Sequence, residues 1–202
     1  MRLYSYVVAR DFGFAPNPFF GFCTLATCKP ITRRVARVGD WILGTGSAQR
    51  GRTGYLVYAM KVSEEMSFEE YWSDPRFLKK RPDLERGKMF AFGDNIYSRD
   101  ASGGWLQLNS HHSCEDGCPN PNNIANDTQT NRVLIGADFV YWGGAGPKIP
   151  TKFRNFDGHD ICAVRGHKCK FPPKLVEQFV EWIIGQGLRG YMDKPLDWSR
   201  TP

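Results

Sequence analysis

Two near-continuous apolar runs, residues 55–62 and 133–142, most constrain the fold of this chain. Both are rich in β-branched and aromatic residues and have the length of strands, so each predicts a buried strand. Both fall well short of the roughly 18 apolar residues of a membrane helix. Shorter strands are predicted at residues 3–9, 22–28, 41–43 and 105–108.

Helix signals are fewer. Ser67 followed by Glu70 forms the pattern of a capping box, which predicts that a helix begins at residue 67. Residues 173–184 place their apolar side chains on one face, which predicts a closing amphipathic helix. Pro30 fits the first turn of a short helix. We therefore expect one α+β domain over residues 1–202, a curved or barrel-like mixed sheet with two or three flanking helices.

The basic residues are unevenly distributed. The formal net charge is +6, and residues 1–55 carry all of it, with eight basic residues against two acidic ones. A localised cationic region favours an anionic partner such as a nucleotide or DNA, although a merely solvated basic face gives the same pattern. The aromatic fraction of 14% adds candidates for stacking on a base.

The first ten residues predict a strand rather than a signal peptide, because polar residues alternate along them and Arg10 follows. We accordingly expect a cytoplasmic protein with no membrane contact. In that compartment the six cysteines are free thiols or metal ligands rather than disulfides.

The polar segment 109–132 is the main candidate for chemistry. It shows no periodicity and concentrates hydrogen-bonding side chains, and a loop of this length inside a compact domain is usually functional or disordered. One interpretation makes His112 a general acid/base oriented by Asp116 or Asp127. A second is a zinc site, and a third is a loop that only bonds to itself. The candidate zinc ligands are His111, His112, Cys114 and Cys118. Further ligands could come from a distant segment of the chain, at Cys162, His167 and Cys169.

Cys28 precedes the helix that Pro30 opens. A helix N-terminus and nearby cations favour a thiolate nucleophile, and the same surroundings would hold a phosphate. Packing of a buried thiol is the third interpretation. The glycine-rich turn at residues 44–47 is a further candidate site for binding phosphate, and Arg50 follows it three residues later in the sequence. The candidate ligand-binding side chains are Arg10, Phe19, Phe20, Thr27, Lys29, Arg33, Arg34, Trp41, Thr45, Ser47, Arg50, Asn120 and Thr128.

Several segments in order carry a resemblance to a known family. They are residues 4–8, 14–19, 23–30 and 38–47, the pairs His112-Ser113, Asp116-Gly117 and Asp127-Thr128, and residues 132–135. In this order they resemble the second family of nucleotide modification associated domains, known from bacteria and phages. Residues 39–40, 55–62 and 67–72 are also similar to the PUA-like barrels, which include readers of modified bases.

The resemblance implies a role in making, recognising or processing modified bases or nucleotides. Three hypotheses follow. The chain is a reader that binds a modified base without turnover, an enzyme that uses His112 as acid/base, or a non-catalytic domain that docks on an acidic protein. The sequence names no cofactor and no oligomeric state.

Overall fold

A computed structural model describes residues 1–200, and these form two compact units. The first unit comprises Met1–Asp11, Ala36–Ser63 and the chain from Gly136 onward. The second unit comprises Phe12–Val35 and Glu64–Ile135. The chain passes between them four times, so neither unit is one continuous segment. A single domain over the whole chain stays a prediction.

Eleven strands and six α-helices occur in residues 1–200, together with four 3₁₀ helices. The strands are β1 Leu3–Val8, β2 Cys23–Leu25, β3 Trp41–Gly46, β4 Leu56–Lys61, β5 Glu64–Met66, β6 Tyr97–Arg99, β7 Trp105–Gln107, β8 Val133–Gly136, β9 Asp138–Tyr141, β10 His167–Lys168 and β11 Gly190–Tyr191. The α-helices are α1 Pro30–Val35, α2 Phe68–Ser73, α3 Lys88–Ala91, α4 Pro121–Thr128, α5 Thr151–Arg154 and α6 Pro173–Gly185. The 3₁₀ helices are Ala48–Arg50, Pro75–Lys80, Gly143–Ala145 and Leu196–Arg200.

The first unit is built on a six-stranded mixed sheet in the order β10-β1-β3-β4-β9-β11. The apolar run at 55–62 forms β4, which is paired on both sides and buried except at Lys61, as a continuous apolar run predicts. Helix α6 covers the sheet with the five apolar residues that share its face, and these join the core of this unit. In the described residues the strand order has two free ends, so the PUA-like barrel is not confirmed.

The second unit contains a three-stranded sheet in the order β2-β8-β5, the two-stranded sheet β6-β7, and helices α1 to α4. Its core is largely aromatic, with Phe68, Tyr71, Phe77 and Tyr97 among the buried residues. The predicted capping box is present, because the Ser67 hydroxyl accepts from the Glu70 N–H while the Glu70 carboxylate accepts from the Ser67 N–H. This unit carries the candidate site.

Three sequence expectations need correction. The segment 109–132 was expected to have no regular structure, but α4 lies within it, because Asn120 caps its first turn and Pro121 fits position N1. The run 133–142 was expected to be one strand, but it divides into β8 and β9 around Ala137, whose N–H donates to the Ser63 hydroxyl. The described residues also hold more than the two or three helices expected. None of those helices is long and apolar enough to cross a membrane.

Candidate active site

Cys28 lies in the tight turn that connects β2 to α1. Its φ angle is 56° and that of Lys29 is 41°, so two consecutive residues with side chains adopt the left-handed conformation. Such a conformation costs about 1–3 kcal/mol per residue and persists only where the surroundings enforce it. The surroundings enforce it in this turn, because the Cys28 N–H donates to Asp127 Oδ1 at 2.7 Å and the Cys28 carbonyl accepts from Arg33 Nε at 2.9 Å. The turn therefore presents the thiol in a fixed direction.

His112 faces that thiol. Its Nε2 lies 3.5 Å from Cys28 Sγ, and its Nδ1 lies 2.7 Å from Asp127 Oδ2. The peptide is held as well, since the His112 carbonyl accepts from Asn123 Nδ2 at 2.7 Å. The Phe14 ring packs against the imidazole with a centroid distance of 4.6 Å. The imidazole therefore has one orientation, with one nitrogen toward the carboxylate and the other toward the thiol.

The electrostatic surroundings favour a charged imidazole. Burial by itself lowers the pKa of His112, but the hydrogen bonds to Asp127 and Cys28 outweigh it and raise the pKa to about 9. The side chain is only 14% exposed, so solvent screens these interactions weakly. An imidazolium between a carboxylate and a sulfur is the form that stabilises a neighbouring thiolate.

Asp127 is fully buried in α4 and accepts hydrogen bonds from both Cys28 and His112. Besides Cys28 N and His112 Nδ1, its carboxylate accepts from the Tyr97 hydroxyl at 2.9 Å and from Asn126 Nδ2 at 3.3 Å. Burial and the adjacent carboxylate raise the pKa of Tyr97 well above its usual range, so the phenol stays a donor. Four donors thus compensate the burial of the Asp127 charge.

Arg33 supports the same turn from inside the protein. It is fully buried, and its guanidinium donates to four carbonyl oxygens, those of Cys28, Asp127, Thr130 and Arg132. Burial lowers the pKa of Arg33 to about 10 against the opposite effect of the Asp127 charge. Arg33 therefore ties the Cys28 turn to the end of α4, which carries Asp127.

Cys28, His112 and Asp127, hereafter the triad, have the arrangement of a nucleophile, a base and a group that orients the base. His112 Nδ1 donates to Asp127, so Nε2 is the atom that takes up the thiol proton, which gives the imidazolium–thiolate pair. His112 can later return that proton to a leaving group. The geometry fits covalent catalysis by a thiol.

Aromatic rings adjoin the triad. The rings of Phe12 and Phe92 are stacked at 5.1 Å, and the His111 ring lies 4.6 Å from Phe12 and 5.3 Å from Phe14. The His111 side chain is exposed at the surface of this cluster. Rings of this kind are suited to contact a planar base.

Among the described residues, the triad is the one group of three His, Cys or acidic side chains that could hold a metal ion, with ligand atoms within 4.8 Å of one another. The fit is poor because both Asp127 oxygens are already engaged by protein donors. A metal would retain the thiol and the imidazole alone, fewer than the three or four protein ligands usual for zinc. Of the zinc ligands considered from sequence, Cys114 and Cys118 are exposed free thiols.

The sequence-predicted residues of the second unit are distributed as follows. The expected pairing of His112 with Asp127 is present as a hydrogen bond, whereas exposed Asp116 accepts from the Cys118 N–H, which lowers the pKa of Asp116. Arg34 is exposed, Lys29 is half-buried, and burial lowers the pKa of Lys29. The others in this unit are Asn120 as the α4 cap, Thr128 bonded to the Ile124 carbonyl, buried Phe19 and Thr27, and Phe20 in contact with Phe90.

The remaining candidates belong to the first unit. Trp41 is buried in its core, and the Thr45 hydroxyl donates to the Tyr6 carbonyl. Arg50 forms an ion pair with buried Asp197 at 2.6 Å. Ser47 is buried and Arg10 is exposed. Their roles in ligand binding stay predictions.

Sequence reasoning missed Tyr97 and the structural role of Arg33. Tyr97 begins a short strand, β6, for which the sequence shows no clear alternation of apolar and polar residues. Nothing local distinguishes Arg33 from Arg34, although one is buried and the other exposed. Helical spacing would have suggested the wrong face, since Thr32 and Arg33 are buried in α1 while the apolar Ile31 and Val35 are exposed.

The fold and site define an α+β protein with a buried carboxylate, an imidazole and a half-buried thiol in hydrogen-bonded order. The family model described as "Nucleotide modification associated domain 2" matches residues 1–202, and the chain belongs to this family. Neither the curated proteins nor the solved structures contain a match. The family resemblance seen in the sequence motifs is thereby confirmed, and it associates the chain with nucleotide modification.

Proposed function

We propose that this chain is an enzyme of nucleotide modification in which Cys28 is the nucleophile, His112 the acid/base and Asp127 the residue that orients His112. One observation carries the proposal: His112 contacts Cys28 Sγ at 3.5 Å and Asp127 at 2.7 Å, and Cys28 is held on a backbone turn in an unfavourable conformation. The family membership associates the chain with nucleotide modification, and we infer from it that the substrate is a nucleotide or a base within DNA.

The reaction consists of two proton-coupled steps. His112 Nε2 takes the thiol proton, and the thiolate attacks an electrophilic carbon of the substrate, forming a carbon–sulfur bond. The bond from that carbon to its leaving group breaks, and His112 gives its proton to the leaving group. A second nucleophile, activated by His112, then displaces Cys28 and restores the thiol.

The reader hypothesis requires none of this chemistry. A reader binds its base with a steep dependence on salt and retains binding when His112 is replaced. The protein-docking hypothesis predicts no nucleotide affinity. The triad geometry favours the enzyme, because a site that only binds a base does not require a thiol, an imidazole and a carboxylate in mutual contact.

The test compares the wild-type chain with the variants Cys28→Ser and His112→Gln. Each cysteine is followed by peptide mass spectrometry during alkylation with iodoacetamide at pH 7. We expect half-buried Cys28 to react faster than exposed Cys114 and Cys118, and His112→Gln to slow Cys28 by roughly tenfold or more. Faster alkylation of buried Cys23 in His112→Gln indicates a general loss of structure instead.

A second measurement addresses the covalent step and the metal. Intact-mass analysis after incubation with nucleotide mixtures or DNA digests should show an adduct that Cys28→Ser cannot form. Metal analysis of the same samples shows whether these residues bind zinc instead of acting through a free thiol. One equivalent of zinc in the wild type, lost in both variants, contradicts the thiol mechanism.

A further inference from the structure

A cavity of about 360 Å³ lies in the first unit and is lined by residues 158–160 and 167–171. Its volume falls in the range of small-molecule sites. Lys168, Lys170, His159 and His167 contribute to its wall. No residue of the triad lines the cavity, so a ligand bound there would occupy a different site from the substrate of Cys28.

The one carboxylate in the cavity wall, Asp160, is already compensated. Its two oxygens accept from Arg154 Nε at 2.8 Å and Arg154 Nη2 at 2.9 Å, and the Cys162 N–H adds a third bond at 2.8 Å. The carboxylate charge is therefore balanced by Arg154, which leaves the two lysines as a net positive contribution to the cavity. That balance favours an anionic ligand.

Two of the four donors, His167 and Lys168, are held by the fold. His167 and Lys168 form β10, whose backbone pairs with Tyr6 and Ser5 of β1 at the edge of the sheet. Lys168 Nζ donates to the Asp160 carbonyl at 3.1 Å, which fixes the ammonium while leaving two of its three N–H groups for a ligand. Donors fixed before binding lower the entropic cost of binding an anion.

Phe171 gives the cavity an aromatic wall. Its ring is partly buried and packs against the core of the first unit, so its position is fixed. A cavity with ammonium and imidazole donors and one aromatic ring suits a phosphate attached to a planar group. A free carboxylate or sulfate uses only the donors and gains nothing from the ring.

We propose that this cavity is a second ligand site that binds the phosphate group of a nucleotide. The phosphate oxygens accept from Lys168 and Lys170, with His159 and His167 as further donors, and the base or sugar contacts Phe171. The phosphate comes either from a free mononucleotide or from the backbone of a nucleic acid. The chemistry of recognition is the same for both.

The experiment is a titration of the whole 202-residue chain with deoxythymidine monophosphate, inorganic phosphate, thymidine and a short oligothymidylate. Affinity is measured by calorimetry, and the imidazole NMR signals of His159 and His167 locate the binding. We expect the monophosphate to bind more tightly than inorganic phosphate, and thymidine to leave the two imidazole signals unchanged. Tighter binding of the oligothymidylate assigns the phosphate to a nucleic acid, and tighter binding of the monophosphate assigns it to a free nucleotide.

Three variants test the residues. Lys170→Gln should weaken monophosphate binding by about tenfold, since it removes one charge-assisted hydrogen bond, and Lys170→Arg should restore most of it. Lys194→Gln removes an equal charge from an exposed position of the same unit outside the cavity, and should leave the affinity within twofold. Equal losses in Lys170→Gln and Lys194→Gln, or unshifted His159 and His167 signals, overturn the proposal.

Cys28→Ser separates this site from the triad. If the wild type forms an adduct that this variant does not form, and the variant still binds the monophosphate, both proposals stand. If wild-type Cys28 proves unreactive while Lys170→Gln weakens binding, the phosphate site stands and the enzyme proposal fails. If no phosphate binds while Cys28 reacts as expected, the enzyme proposal stands and the phosphate site fails.

Discussion

Asp127 accepts a hydrogen bond from the main-chain N–H of Cys28 at 2.7 Å, although 99 positions separate the two residues in the chain. Its other oxygen accepts from His112 at 2.7 Å, so one carboxylate fixes both the backbone of the nucleophile and the ring of the base. Loss of that carboxylate should therefore disturb the whole triad rather than one contact.

Asp127→Asn should reduce the alkylation rate of Cys28 by roughly tenfold or more and destabilise the protein by about 3 kcal/mol. The amide nitrogen cannot accept a hydrogen bond, so at least one of the buried donors Tyr97, His112 and Cys28 N loses its acceptor. Thiol alkylation and urea denaturation measure the two effects. Asp116→Asn is the control, because exposed Asp116 should change neither quantity.

Tyr97→Phe should have a smaller effect, about 1 kcal/mol of stability, because it removes one donor and leaves the carboxylate with three. The Cys28 alkylation rate should fall by less than it does in Asp127→Asn. A larger loss of reactivity in Tyr97→Phe than in Asp127→Asn would show that the phenol, and not the carboxylate, controls the thiol.

His112 should make stability depend on pH. Its pKa is about 9 in the folded protein and 6.5 in the unfolded chain. A group whose pKa is raised on folding contributes its full stabilisation below pH 6.5 and loses it as pH rises toward 9. The stability advantage of wild type over His112→Gln should therefore shrink between pH 6 and pH 9, by about 3 kcal/mol.

Urea denaturation of both proteins at several pH values measures this difference. In a Cys28→Ser background the difference should depend less on pH, since the sulfur contributes to the raised pKa of His112. A difference that stays constant from pH 6 to pH 9 contradicts the charged imidazole described here.

Arg33→Lys should destabilise the protein by about 3 kcal/mol, because an ammonium cannot reach four carbonyl oxygens in the fixed fork geometry of a guanidinium. Arg33 is a positioning residue, so Cys28 alkylation should slow even where the variant is fully folded. Arg34→Lys, an exposed neighbour on the same helix, is the matched control. Unchanged Cys28 reactivity in folded Arg33→Lys would assign Arg33 a purely structural role.

Lys80→Met should destabilise the protein by about 3 kcal/mol at pH 7. Lys80 is fully buried, and burial lowers its pKa to about 8, yet its ammonium donates to the Asn17 carbonyl, the Asn17 Oδ1 and the Phe22 carbonyl. These acceptors lose their donor in the variant. Lys79→Met, at the exposed neighbouring position, should change stability by less than about 0.5 kcal/mol. Equal stability of the two variants contradicts this account.

The sequence by itself determined the elements whose signals are local. The apolar run of β4, the Ser67–Glu70 capping box and the one-sided apolar pattern of α6 each depend on neighbours within a few residues, so periodicity and capping rules reach them. The family motifs were readable because each is a short run of neighbouring residues, and the candidates His112 and Asp127 because polar residues cluster in one segment.

Tertiary structure alone decided what these residues do together. Cys28 comes from the turn before α1, His112 from the segment after β7 and Asp127 from α4, and no periodicity relates such distant positions. Burial likewise separates Arg33, whose donors are committed to carbonyls, from Arg34 on the same short helix. Hydrogen bonding between distant segments is a property of the packed chain, which is why a list of candidate side chains became a triad only in the folded protein.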